Sequence, residues 1–234
     1  MSDFTSSPTQ TPTGTTSFPA KLVNIFVAPG EVFDEVAGSP HRLLNWLVPI
    51  SLVCLTSILL LAAATDQKQI AAAVSDLVDR GAVASTQVDA VTAGWKKVSA
   101  LGVCLVAVAG TIWSALVICL IGRLFLKTKV PFGKALEVAG LASLILALGT
   151  VVTLALVAAT GNLAARPALS LLLRGFPSED SLFSLLGIVD VFHIWTVTVL
   201  AIGLSRLTRV SLKESSFWVF GYWLFTRMAL VLLA

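Results

Sequence analysis

Apolar residues run along this chain in stretches too long for strands and too unbroken for the one-sided helices of a soluble domain. Residues 45–64, NWLVPISLVCLTSILLLAAA, form one such run, and residues 100–126, ALGVCLVAVAGTIWSALVICLIGRLFL, another. Further runs cover residues 135–159, 183–204 and 217–234. A hydrocarbon core of ~30 Å asks for ~20 helical residues, so each of the five is expected to cross a membrane. The last is short, and its aromatic opening, FWVFGYW, suits the headgroup level.

Two stretches mix polar and apolar positions instead. In KLVNIFVAPGEVFDEVAGSPHRLLNW, Val32, Phe33 and Val36 alternate with Glu31, Asp34 and Glu35. Pro29 marks a helix start, and Gly38, Ser39 and Pro40 mark its stop. The pattern predicts a short helix along the cytosolic interface, Phe33 inserted and the acids in water. Between the first two runs, Ile70, Val74, Leu77 and Val78 share a helical face, Gly81 interrupts, and Ser85 or Thr86 stands ready to cap a helix toward Trp95. A helical hairpin on the outer membrane surface is expected there. The fold class predicted is all-α: a polytopic bundle of five transmembrane helices, an N-terminal interfacial helix and an outer helical hairpin.

Composition agrees with a chain whose solvent is mostly lipid. Of 234 residues, 56% are hydrophobic and only 12% charged, and the mean hydropathy is +0.91, whereas a soluble domain carries about a quarter charged residues. Residues 1–20 have neither the basic nor the apolar region of a signal peptide, and read as a disordered Ser/Thr/Pro-rich tail before a membrane domain at 21–234. The net charge of +3 comes without a dense basic patch, which argues against nucleic acid. Cys54, Cys104 and Cys119 all lie in apolar runs without metal-site spacing, and are expected as small buried hydrophobes.

Lysine and arginine set an expected orientation. Arg123, Lys127, Lys129 and Lys134 crowd the connection after the second run, and Arg206, Arg209 and Lys213 the one after the fourth. Residues 167–181 have only Arg174, opposed by Glu179 and Asp180. The positive-inside rule then puts the N-terminus in the cytoplasm and, after five spans, the C-terminus outside.

Some polar residues fall within the runs. Asp190 and His193 are i and i+3, so they share a helix surface. A charge at the bilayer centre costs ~2.5–3.5 kcal/mol on insertion scales, so the carboxylate is expected to face the bundle interior. Arg227, at comparable depth in the last run, is its expected partner. The cluster reads either as an ion pair that fixes helix packing or as a relay and anion site. Glu137, one turn after Lys134, reads as a surface acid paired to that lysine, with Arg206 as an alternative partner across the inner face. His41 is expected to do no more than end a turn.

The stretch FVAPGEVFDEVAGSP and the late sequence DVFHIWTVTVLAIGLSRLTRVSLKESS resemble the YIP-domain family, the Ypt/Rab-interacting membrane proteins and their bacterial relatives. Pro29 with Phe33, then Asp190, Phe192, Trp195, Gly203 and Ser211, carry the resemblance, which covers residue 21 onward. It implies a five-span helical domain with a cytosolic N-terminus, in a bacterial-type member of the cytoplasmic (inner) membrane. Eukaryotic members act with small GTPases in vesicle traffic, but GSPHR stands here where those carry a DLYGP-type signature, so that role is not carried over.

No GxSxG, HExxH, Walker or dinucleotide motif occurs. The expectation is therefore a non-enzymatic protein with no catalytic residue, cofactor or metal, which organises partner proteins or membrane structure. The partners expected are lipids, other proteins or a second copy. The alternatives are a small-solute or ion permease using Asp190, His193 and Arg227, and an intramembrane enzyme.

Overall fold

Helix accounts for nearly all of the chain that the computed structural model describes, namely residues 16–64, 75–76, 78–81, 84–161, 167 and 190–233, and no sheet is found among these residues. In chain order the helices are α1 (Phe18–Val27), α2 (Pro29–Gly38), α3 (Leu44–Ala64), α4 (Val88–Leu124), α5 (Phe132–Thr160), α6 (Val191–Thr208) and α7 (Leu212–Leu233). Of these, α3, α4, α5 and α6 are long and apolar enough to cross a membrane, and the chain is an integral membrane protein. Among the described residues the expected count of five spans is corrected to four, and α7 is not one of the four.

The outer hairpin is also corrected. Its expected second arm is the start of α4, which runs unbroken for 37 residues. No proline interrupts it, and an interior glycine costs a helix only ~1 kcal/mol. Gln87 stands at its N-cap without a side-chain bond, so neither Ser85 nor Thr86 caps it. Gly81 does adopt a left-handed φ of 70°, which ends the short helical piece before it. Ile70, Val74 and Leu77 lie outside the described residues, as do residues 1–15 and Arg174, Glu179 and Asp180.

The bundle is built around α5. Its first half is buried on every side from Ala135 to Ile145, and apolar but for Glu137 and Ser143, as a helix surrounded by others must be. Helices α1, α2, α3, α4 and α6 all touch it, and α7 lies against α6 and α4. Close approach depends on missing side chains. A Cβ on Gly140 would run into the backbone of Trp46 on α3, and one on Gly203 of α6 would overlap Val138 of α5. These contacts draw α3, α5 and α6 together at the end of the bundle that carries α1 and α2, here termed the capped end. Both basic connections, 123–134 and 206–213, are at this end: Lys134 reaches the Val36 carbonyl of α2 and Arg206 reaches Asp34.

Helix α2 keeps its expected boundaries but not its expected surroundings. Phe33 is fully buried, packed where Gly203 of α6 leaves room for its ring, and Val32 and Val36 are buried beside it. The apolar face of α2 is thus turned to protein, not to lipid. The reason is geometric: glycine at 203 opens a socket that an aromatic ring fills better than mobile acyl chains do. Helix α1 packs alongside, with Phe26 edge-on to Trp195 of α6 at 5.9 Å, and leaves Val23 and Val27 exposed.

Candidate functional site

Two polar centres lie within the bundle, one at each end. At the capped end Glu137 is fully buried one turn before Gly140. Where α3 presses on that glycine, it brings Asn45 within hydrogen-bonding reach, and the Asn45 amide donates to Oε2 of Glu137. His41 Nδ1, from the turn before α3, lies 2.9 Å from Oε1, and Lys134 Nζ lies 3.0 Å from the same oxygen. Lys134 also donates to the Val36 carbonyl at 2.7 Å, near the C-terminus of α2, where exposed carbonyls favour a cation. A carboxylate offers about four lone-pair sites. Here one buried group joins α3, α5 and, through Lys134, α2.

Glu137 is therefore an interior group and not the surface acid expected. It sits under the tightest helix crossing of the bundle, which leaves water no room. Arg206 does not reach it either. That guanidinium lies over Gly30 and pairs with Asp34 at 3.4 Å. Residues 41 and 45 were missed as its partners. The available signal was that an apolar span holding a glutamate must supply donors nearby, and the entry to the first apolar run holds a histidine and an asparagine.

A second buried pair fastens α1 to α2. The Lys21 side chain is only 1% exposed, and its ammonium is 2.9 Å from Glu35. Burial pushes the Glu35 carboxyl up, but bonds from Lys21 and Thr16 and the lysine's charge outweigh it, and the group is held below its ordinary value of 4.5.

At the opposite, open end, Asp190 caps α6. One carboxylate oxygen accepts from the Phe192 amide at 2.7 Å and the other is 3.5 Å from His193 Nδ1. The expected ion pair with Arg227 is not found among the described residues. Helix side chains lean toward their own N-terminus. For Arg227 that direction leads toward the capped end, away from Asp190, and its guanidinium lies 6.0 Å from the Trp223 ring centre one turn back. Asp190 and His193 instead border a cavity of about 710 Å³ between α3, α4, α5 and α6.

Among the described residues no group of three or more His, Cys, Asp or Glu side chains could hold a metal ion. Of the residues that carried the family resemblance, Phe33 fills the Gly203 socket, Phe192 packs on Gly149, Trp195 meets Phe26, and Ser211 accepts from the Glu214 amide at the start of α7. They act in packing and capping. No curated protein and no solved structure matches the chain. The model of the Yip1 domain does, over residues 23–234, which takes in every helix from α2 onward and half of α1, so the chain belongs to the Yip1 domain family.

Proposed function

We propose that this protein is a non-enzymatic membrane organiser that shapes the bilayer around it and presents a fixed face to partners in water. The observation that carries the proposal is the docking of α1 and α2. Phe33, the Lys21–Glu35 pair and the Lys134–Val36 bond fasten these helices to one end of the bundle, while Val23 and Val27 remain exposed. The cap widens the protein in one leaflet, and its exposed apolar edge is satisfied by lipid. Glu31 and Asp34 are exposed on α2, Asp34 beside Arg206, and offer an acidic edge to basic partners.

The orientation we assign places the cap and both basic connections in the cytoplasm, of bacterial type because GSPHR replaces the trafficking signature. We infer that α7, which starts on that side and lies beside α4 with Trp113 Nε1 donating to Tyr222 Oη at 2.7 Å, crosses as well and carries the C-terminus outside. Cysteine labelling at Ser211 from the cytoplasmic side alone, and a reporter on the C-terminus read outside, are the expected results.

Reconstitution tests the function. Vesicles carrying the full chain should become smaller and more uniform by electron microscopy, with no solute flux above protein-free vesicles. Phe33→Ala, which loosens the cap, should lose the size effect. Unchanged vesicle size with measurable flux would replace this proposal with the permease reading, which the cavity at Asp190 favours. That cavity is lined from the open half of the helices, residues 53–61, 99–107, 146–153 and 190–193, while α5 is packed solid toward the capped end.

A further inference from the structure

The cavity at the open end has a direction. Its deeper wall is apolar: Val53 of α3, Val106 of α4 and Leu146 of α5. Thr150 and Thr153 also line it, but their hydroxyls donate to the Leu146 and Gly149 carbonyls of their own helix and add no polarity there. The polar groups lie toward the end of the bundle, where Asp190 and His193 stand at the start of α6 and Ser99 faces them from α4. A second cavity of about 400 Å³ adjoins it, sharing Leu61 and Ser99 and lined by Lys96. Volumes of this order are those of sites for small molecules, ~300–1,000 Å³.

Charge narrows the occupant. Among the described residues no lysine or arginine lines the larger cavity, and Asp190 is the acid at its rim. With one oxygen on the Phe192 amide and the other 3.5 Å from His193, the carboxylate retains lone pairs for a further donor. Lys96, which lines the adjoining cavity, offers a cation for an anionic group. The walls belong to membrane-crossing helices, and Val106 is 73% exposed, so the cleft opens to the bilayer and not to bulk water.

We propose that this cleft is a binding site for a phospholipid with a primary-amine headgroup. One acyl chain lies along Val53, Val106 and Leu146, the ammonium donates to Asp190, and the phosphate turns toward Lys96. The site is independent of the cap and of its effect on vesicle shape.

The full chain, purified in mild detergent, is offered dioleoyl phosphatidylethanolamine, phosphatidylcholine or phosphatidylglycerol at equal concentration, and bound lipid is counted by native mass spectrometry. Phosphatidylethanolamine is expected to be retained about tenfold over each of the others, the scale set by one added hydrogen bond to a charged group. Phosphatidylcholine has no N–H to donate, and phosphatidylglycerol has no cation. Asp190→Asn keeps an N-capping side chain and is expected to erase the preference while chain binding persists. Gly102→Leu is expected to lower retention of all three lipids, because a side chain at this position enters open space in the cleft and meets no neighbour at Cβ. Equal retention of the three lipids, an undiminished preference in Asp190→Asn, or full retention in Gly102→Leu would each overturn the proposal.

Discussion

At the capped end α5 meets α3 at Gly140 and α6 at Gly203 so closely that a methyl group would not fit, and a buried carboxylate joins three helices there. At the open end the same helices part around a cavity of about 710 Å³, and a methyl group on Gly102 would touch nothing. Both halves are apolar, so hydrophobicity does not distinguish them. In lipid there is little apolar driving force between helices, and what holds them is close packing and satisfied polar groups. One end has glycines placed at helix crossings and a polar centre with donors from several elements. The other has a short-range pair on a single helix, Asp190 with His193. Rigidity is therefore local, and the loose half is where a ligand has room.

The largest effect expected from breaking this contrast is at Glu137. Glu137→Ala leaves Asn45, Lys134 and His41 without their shared acceptor, and a broken buried pair costs ~3–5 kcal/mol. Thermal unfolding in detergent should fall steeply, and Glu137→Gln, which keeps an acceptor, should fall less. Equal stability of the alanine variant and the natural chain would show that the polar centre does not hold the capped end.

Next is a pair of identical substitutions at opposite ends. Gly140→Ala forces a methyl group against the Trp46 backbone, which cannot turn aside, and overpacking of this kind costs ~1–3 kcal/mol. Gly102→Ala meets open space and should gain up to ~1 kcal/mol from helix propensity. Matching shifts in the two melting curves would mean that the halves are equally loose.

How far all this was legible from the chain follows from the same physics. Long apolar runs report the solvent of a helix, so α3 to α6 could be read directly, and their ends shifted only where a helix continued past its apolar part, as α4 does. Neighbours are another matter. Nothing in the run around Glu137 says that Gly140 faces Trp46, and without that crossing the burial of the carboxylate is invisible. Phe33 looked the same to the sequence whether it met lipid or Gly203. Arg227 and Asp190 were expected at comparable depth, but depth does not fix the direction in which a side chain leans. Pro29, Gly38 and Gly81 were readable because backbone constraints act locally.

A smaller effect is expected from acid on the cap. The Glu35 carboxyl is held below 4.5 in the folded protein, so its contribution is complete above that unfolded value and is lost as pH falls through the lower folded one. Hydrogen exchange of α1 amides, corrected for intrinsic rates, should accelerate as pH falls below 4.5 while α5 stays protected. In Glu35→Gln the acceleration should be present already at neutral pH and flat across this range. A pH response that survives in Glu35→Gln would assign it to another carboxylate.

The smallest effect is expected at the open end, and its test is a coupling. Asp190 and Arg227 make no direct contact: the first is occupied at the N-cap of α6 and by His193, and the second lies over Trp223. Sites without shared partners add within ~0.3–0.5 kcal/mol. Asp190→Asn preserves the cap, and should change unfolding stability by no more than a few tenths of a kcal/mol, about the cost of a cap replacement that retains an acceptor. Arg227→Gln gives up a cation over an aromatic face, worth ~0.5–1 kcal/mol at an exposed site. The double substitution should therefore equal the sum of the two. A coupling near 2 kcal/mol would bring these side chains together across α6 and α7 and close the cleft's rim, whereas additivity keeps the Asp190 carboxylate available to a lipid amine.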